Sequence, residues 1–133
     1  MKLSIYTDGG ARGNPGPAGI GVAIYDESGR LIKEISEYLG ITTNNQAEYR
    51  ALIKALEQAR ELGARELDCF LDSELVVRQL NHEYKVKNKD LAPLFLTVHN
   101  LALNFSKITY THIPRERNAA ADKLANEAMD RAA

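Results

Sequence analysis

Hydrophobic and polar residues alternate through Leu3-Ser4-Ile5-Tyr6-Thr7, so residues 2–7 read as a strand with one buried face. Residues 8–19 break the alternation with five glycines and two prolines and are expected to form a loop. Ile20 to Tyr25 is again strand. Asp26-Glu27-Ser28-Gly29 is a hairpin turn into a return strand from Leu31 to about Leu39. The period then changes. From about Asn45 to Leu62, Ala47, Ala51, Leu52, Ala55, Leu56, Ala59 and Leu62 form one apolar stripe of a helix, and Gly63 is a natural stop. A strand follows over about Glu66 to Leu71, then a short helix from Ser73 to Leu80 and a polar, loop-like stretch over 81–90. Leu91 to Leu103 reads as helix, with Pro93 tolerated in its first turn. Lys107 to Ile113 is strand and Asn118 to Ala133 the last helix. The order βββαβααβα implies an α/β fold in one domain, residues 1–133. It has a five-stranded mixed sheet with helices on both faces, and strands one and four side by side and parallel.

Composition narrows the class. At 133 residues, 44% hydrophobic and 26% charged, the chain has the make-up of an ordinary globular domain. No apolar run approaches the ~20 residues that span a bilayer, and the start lacks a signal-peptide apolar stretch. The single cysteine, Cys69, excludes an internal disulfide and suits a reducing, cytoplasmic setting. A net charge of -1 does not advertise a nucleic-acid partner, although a basic footprint need only be local.

Four acids stand at element ends: Asp8 after the first strand, Glu48 in the first turn of the long helix, Asp72 after the fourth strand and Asp122 early in the last helix. Each has an ordinary explanation. Asp8 suits an Asp-Gly turn, and Glu48 completes a capping box with Asn45. Asp72 can cap the helix beginning near Ser73, and Asp122 is unremarkable in a first turn. Their joint placement at one end of the expected sheet carries more weight. A carboxylate cluster there needs cations, and divalent metal serving phosphodiester chemistry is the common use. The glycines after Asp8 do not form a dinucleotide or P-loop turn, because two prolines and a strand follow where a helix is required.

Four segments together carry a family resemblance. They are Tyr6 through Gly19 (YTDGGARGNPGPAG), Thr42 through Leu52 (TTNNQAEYRAL), Leu71 through Val77 (LDSELVV) and Arg117 through Ala125 (RNAAADKLA). In this order and spacing the chain resembles type 1 ribonuclease H over essentially its whole length. The resemblance implies a ribonuclease H-like fold and a metal-dependent endonuclease that cleaves the RNA strand of an RNA/DNA hybrid. It implies Asp8, Glu48, Asp72 and Asp122 as ligands of two Mg²⁺ ions, with Mn²⁺ as a substitute. Two ions about 3.5–4 Å apart would clamp an in-line displacement that leaves 5′-phosphate and 3′-hydroxyl ends. Asp8 takes the bridging role and Asp122 the loosest. Asn14, Thr43, Asn44 and Asn45 match positions that contact nucleic acid in the family. Amides suit minor-groove edges, and a hydroxyl suits a DNA phosphate. Turn formation and helix capping are their ordinary roles.

The chain departs from larger members in two places. His112 has the spacing of their mobile-loop histidine but continues a strand, with Ile113-Pro114 following at once. Pro114-Arg115-Glu116-Arg117-Asn118 resembles the compact, archaeal-like form instead, which makes Arg115 the preferred auxiliary residue and His112 the alternative. The ordinary role of His112 is that of a strand-end histidine packed under the last helix. His82 and His99 read as surface or helix-face residues. The basic, tryptophan-rich protrusion is reduced to His82–Asp90, where Lys85, Lys87 and Lys89 are either a solvated loop or a remnant binding strip. A non-catalytic nucleic-acid-binding module would leave four clustered carboxylates to repel phosphate. A domain cut from a polymerase or reverse transcriptase is the other alternative. Met1 and a helix ending near Ala133 favour a freestanding protein. A monomer is expected, with the hybrid duplex as partner and no membrane or protein partner.

Overall fold

A computed structural model describes residues 1–133. One sheet runs in the order β3-β2-β1-β4-β5. Its strands are β1 (Lys2–Ala11), β2 (Gly16–Tyr25), β3 (Leu31–Thr42), β4 (Glu66–Leu71) and β5 (Lys107–His112). The first three form an antiparallel meander, whereas β1 with β4 and β4 with β5 are parallel. The helices are α1 (Asn44–Glu61), α2 (Glu74–Leu80), α3 (Ala92–Ala102) and α4 (Ala119–Ala132). No helix is long and apolar enough to cross a membrane.

Alternation decides which strand residues reach which layer. Leu3 and Ile5 of β1, Val22 and Ile24 of β2, and Leu67, Cys69 and Leu71 of β4 share one core with Leu52, Ala55 and Leu56 of α1, Val76 of α2 and Val98 of α3. Cys69 is a buried thiol. On the opposite face α4 lies against β2, β3 and β1. Helices on both faces of a five-stranded mixed sheet are the architecture the periodicity predicts.

The differences are local. β1 and β2 run several residues into the segment read as loop, pairing Asp8 with Gly21 and Ala11 with Ala18. Here the glycines serve close helix approach. A Cβ at Gly9 would collide with the backbone of Ala47 in α1, and one at Gly21 with the Ala121 carbonyl in α4. β3 reaches Thr42, past the expected end at Leu39. Leu62 leaves the apolar stripe of α1: it is the C-cap residue, 38% exposed. Gly63 stops the helix as expected, with a positive φ of 81°. The Ala64 amide bonds the Ala59 carbonyl and the Gly63 amide the Arg60 carbonyl, the paired bonds of a Schellman end.

Candidate metal centre and substrate cleft

The parallel register of β1 and β4 puts Thr7 beside Leu71, so the next residues, Asp8 and Asp72, lie side by side where β4 ends, Asp8 still paired with β2. The close approach of α1 at Gly9 brings Glu48 to that edge. The result is one cluster: carboxylate oxygens of Asp8, Glu48 and Asp72 lie within 4.8 Å of one another. Asp122, one turn into α4, stands beside Asp8 and lines the same cleft of about 390 Å³. All four acids therefore meet, as their positions in the chain suggested.

The ordinary roles proposed for two of them are corrected by the helix caps. Thr43, not Asn45, caps α1: its hydroxyl accepts from the Gln46 amide at 3.2 Å, and Gln46 occupies the position assigned to Glu48 in a capping box. Ser73, not Asp72, caps α2, accepting from the Val76 amide at 3.3 Å. Glu48 and Asp72 are thus released from capping.

The electrostatics describe a site in need of cations. Asp8 and Glu48 are 4% and 7% exposed. Burial, reinforced by the charges of Asp72 and Asp122, pushes Asp8 from 3.8 up to about 7. Burial and the neighbouring Asp8 and Asp72 push Glu48 well above the usual carboxylate range, partly offset by the Gly9 amide. Glu48 Oε2 is buried with no hydrogen-bond partner. An oxygen-only donor set, mutual repulsion and an orphaned buried acceptor all fit a hard divalent cation. The chain's largest cavity, about 690 Å³, lies elsewhere, over Tyr6, Tyr25 and Asp68 on the sheet face that α4 leaves open, and contains none of the four acids.

Arg115 lines the carboxylate cleft and His112 does not. His112 is exposed at the end of β5, paired with Leu71, and is not packed beneath the last helix. His82 and His99 are exposed, as expected.

Asn14, Thr43, Asn44 and Asn45 come together along the rim. The Ala11 amide donates to Asn44 Oδ1 at 2.8 Å, and the Asn44 amide donates to Asn14 Oδ1 at 3.1 Å. The side-chain oxygens of Asn14 and Asn44 are therefore occupied by the scaffold, while their Nδ2 groups have no protein acceptor. A second depression, about 190 Å³, is lined by Asn14, Thr43, Asn45 and Gln46 together with Asn88 and Asp90. The lysine-bearing segment 81–90 therefore adjoins these residues.

Three residues around the carboxylate cluster have no role predicted by the sequence. Arg12 lines the cleft and is held by Asp130 of α4 at 2.6 Å. Asn126 lines it one turn beyond Asp122, a spacing that could have flagged it. Asn118, 1% exposed, bonds Asp72 from the start of α4. In sequence it reads only as the start of the last helix.

Comparison with known proteins gives the same assignment. The family described as reverse transcriptase-like matches residues 6–128. The bifunctional protein Rv2228c of Mycobacterium tuberculosis is 47% identical over 100% of this chain and 37% of its own length. The chain thus spans little more than a third of the first curated relatives it matches. The crystal structure of ribonuclease H1 from the archaeon Halobacterium salinarum superposes with a TM-score of 0.96 at 40% identity, covering 98% of this chain and 99% of that one. LC11-RNase H1, solved in complex with an RNA/DNA hybrid, superposes with a TM-score of 0.93 at 50% identity, covering 98% of each chain.

Proposed function

This chain belongs to the ribonuclease H family, in the compact form found in the archaeal relative, and from that premise we propose that it hydrolyses the RNA strand of RNA/DNA hybrids. The observation that carries the reading is the convergence of Asp8, Glu48 and Asp72 within 4.8 Å inside an open cleft that Asp122 also lines. A relative of the same compact fold binds a hybrid, which supports the substrate class.

Asp8, Glu48, Asp72 and Asp122 would hold Mg²⁺, with Mn²⁺ as a substitute, in a two-ion arrangement. Bound there, divalent ions supply a nucleophilic water at neutral pH and polarise the scissile phosphate. The residues themselves do the rest. Asp8, in a paired strand between the other ligands' elements, gives the cluster its rigid centre. Asp8 and Glu48 hold protons more tightly than free carboxylates, so occupancy of the site releases protons and rises with pH. The guanidinium of Arg115 would hold the scissile phosphate or ease departure of the product. Hydrolysis would leave 5′-phosphate and 3′-hydroxyl ends.

Substrate recognition follows from donors left over. Asn14 and Asn44 present unpaired amide N–H groups, suited to the acceptors of a minor groove and to the 2′-hydroxyl that separates RNA from DNA. Asn45 would read the same groove. Thr43 accepts the capping bond through its lone pair, which leaves its hydroxyl proton for a DNA phosphate. Lys85, Lys87 and Lys89, exposed on the segment whose Asn88 and Asp90 adjoin this rim, would add a salt-sensitive backbone contact.

The test is a labelled RNA/DNA hybrid, double-stranded RNA and double-stranded DNA, each with Mg²⁺, Mn²⁺ or EDTA. Cleavage confined to the RNA of the hybrid, and abolished by EDTA, is expected. Binding of the hybrid without cleavage in either metal would favour the non-catalytic module.

A further inference from the structure

Asn118 occupies the junction of β1, β4 and α4. It is 1% exposed. Its Nδ2 donates twice, to the Thr7 carbonyl at 2.8 Å and to Asp72 Oδ2 at 3.0 Å. Both acceptors are adjacent to or part of the carboxylate cluster: Thr7 immediately precedes Asp8. The amide orientation is fixed by chemistry, because the flipped side chain would set Oδ1 against a carbonyl and a carboxylate, two acceptors with nothing to donate. Asn118 also reaches the fourth acid through its backbone, since its carbonyl accepts the Asp122 amide at 3.0 Å.

We infer that Asn118 is a positioning residue for the metal centre, fixing one oxygen of Asp72 and tying the β1 and β4 ends to the first turn of α4. The inference rests on the proposed metal centre and adds to it a residue that touches neither ion nor substrate. One Asp72 oxygen engaged by Nδ2 leaves the other free for a cation, in a rotamer that needs no search. A carboxylate at the end of a short strand, beside two buried acids, would otherwise swing away from them. Ligand carboxylates held by such partners bind metal more tightly, and loss of the partner typically weakens affinity by about 10–100-fold.

The test is Mg²⁺ binding in the absence of nucleic acid, by titration calorimetry at a temperature where each variant is fully folded, with steady-state cleavage alongside. Asn118→Ala is expected to weaken Mg²⁺ binding by about tenfold or more, to lower kcat and raise the Mg²⁺ midpoint of activity, and to leave KM for the hybrid unchanged. A purely structural role would lower the melting temperature and leave Mg²⁺ affinity untouched, and affinity within twofold of wild type would overturn the inference. If Asn118→Ala does not fold, Asn118→Ser is read in its place. Serine keeps a polar side chain at the start of α4 but is too short to reach both acceptors, and the same loss is expected. Asp8→Asn separates the two readings. If it binds Mg²⁺ and cleaves like wild type, the metal centre itself is wrong. If it loses both while Asn118→Ala keeps both, only the positioning role falls.

Discussion

Asp8 sits inside a paired strand, whereas Asp122 sits one turn into a helix, and this difference in anchoring predicts a difference in mutational cost. Asp122→Asn should retain about tenfold more turnover than Asp8→Asn, and the gap should narrow as Mn²⁺ is raised. Equal losses across a Mn²⁺ titration would contradict the ranking. Arg115 and His112 separate in the same way. Arg115 lines the cleft and His112 is exposed outside it, so Arg115→Ala should lower single-turnover cleavage by about tenfold while His112→Ala leaves it near wild type. The measurement is a rate profile across about pH 6 to 9, where a histidine would titrate and an arginine would not. A step near neutral pH that disappears in His112→Ala would restore the histidine. At this scale the four acids were legible because each falls near an expected element boundary, although Asp8 lies within β1 rather than at its end. Asn118 was not, because its two acceptors lie 111 and 46 residues away in the chain and only the folded sheet edge brings them together.

Elements were read well where a period carried them and poorly where glycine did two jobs. The helix α1 and its glycine stop follow from spacing alone. The ends of β1 and β2 do not, because glycine-rich sequence has the same composition whether it turns or lets a helix approach. Only packing distinguishes the two, and here α1 rides over Gly9 and α4 over Gly21. Gly21→Ala should therefore destabilise the fold by about 1–3 kcal/mol or more, well beyond an ordinary strand substitution, because α4 must lift from β2. Activity should fall further than the folded fraction explains, since the lift moves Asp122. A urea melt paired with cleavage at matched folded fraction checks both. The cap of α1 was misplaced by two residues, a small error with a large consequence: Asn45 as cap gave Glu48 a structural duty, while Thr43 as cap leaves it free. Thr43→Ala should cost about 1 kcal/mol through the lost cap and also weaken hybrid affinity, whereas Thr43→Ser should keep both.

For the molecule as a whole, the carboxylate edge is a place where stability is given up for function. The Asp8 pKa, about 7 in the folded chain against an ordinary 3.8, means the folded state holds an extra proton between those values. That stabilisation is complete below about pH 4 and is lost as pH rises through about 7. Glu48, raised well above its ordinary range, contributes with the same sign. Asp26 and Asp68, lowered by their hydrogen-bond partners, act only at more acidic pH. Ion-free protein should therefore melt lower at about pH 8 than at pH 5, and saturating Mg²⁺ should close most of the gap by binding the folded state alone. A melting temperature that is flat over this range without Mg²⁺ would contradict the buried-acid account. The most direct test of the whole reading is single-turnover cleavage of an end-labelled RNA/DNA hybrid at saturating Mg²⁺, wild type against Asp8→Asn, with thermal melts of both. The account predicts that Asp8→Asn loses about 10²–10³-fold or more in rate while its ion-free melting temperature stays level or rises, because one member of a repelling cluster has been neutralised. An Asp8→Asn protein that folds normally and cleaves at a near-wild-type rate would contradict it.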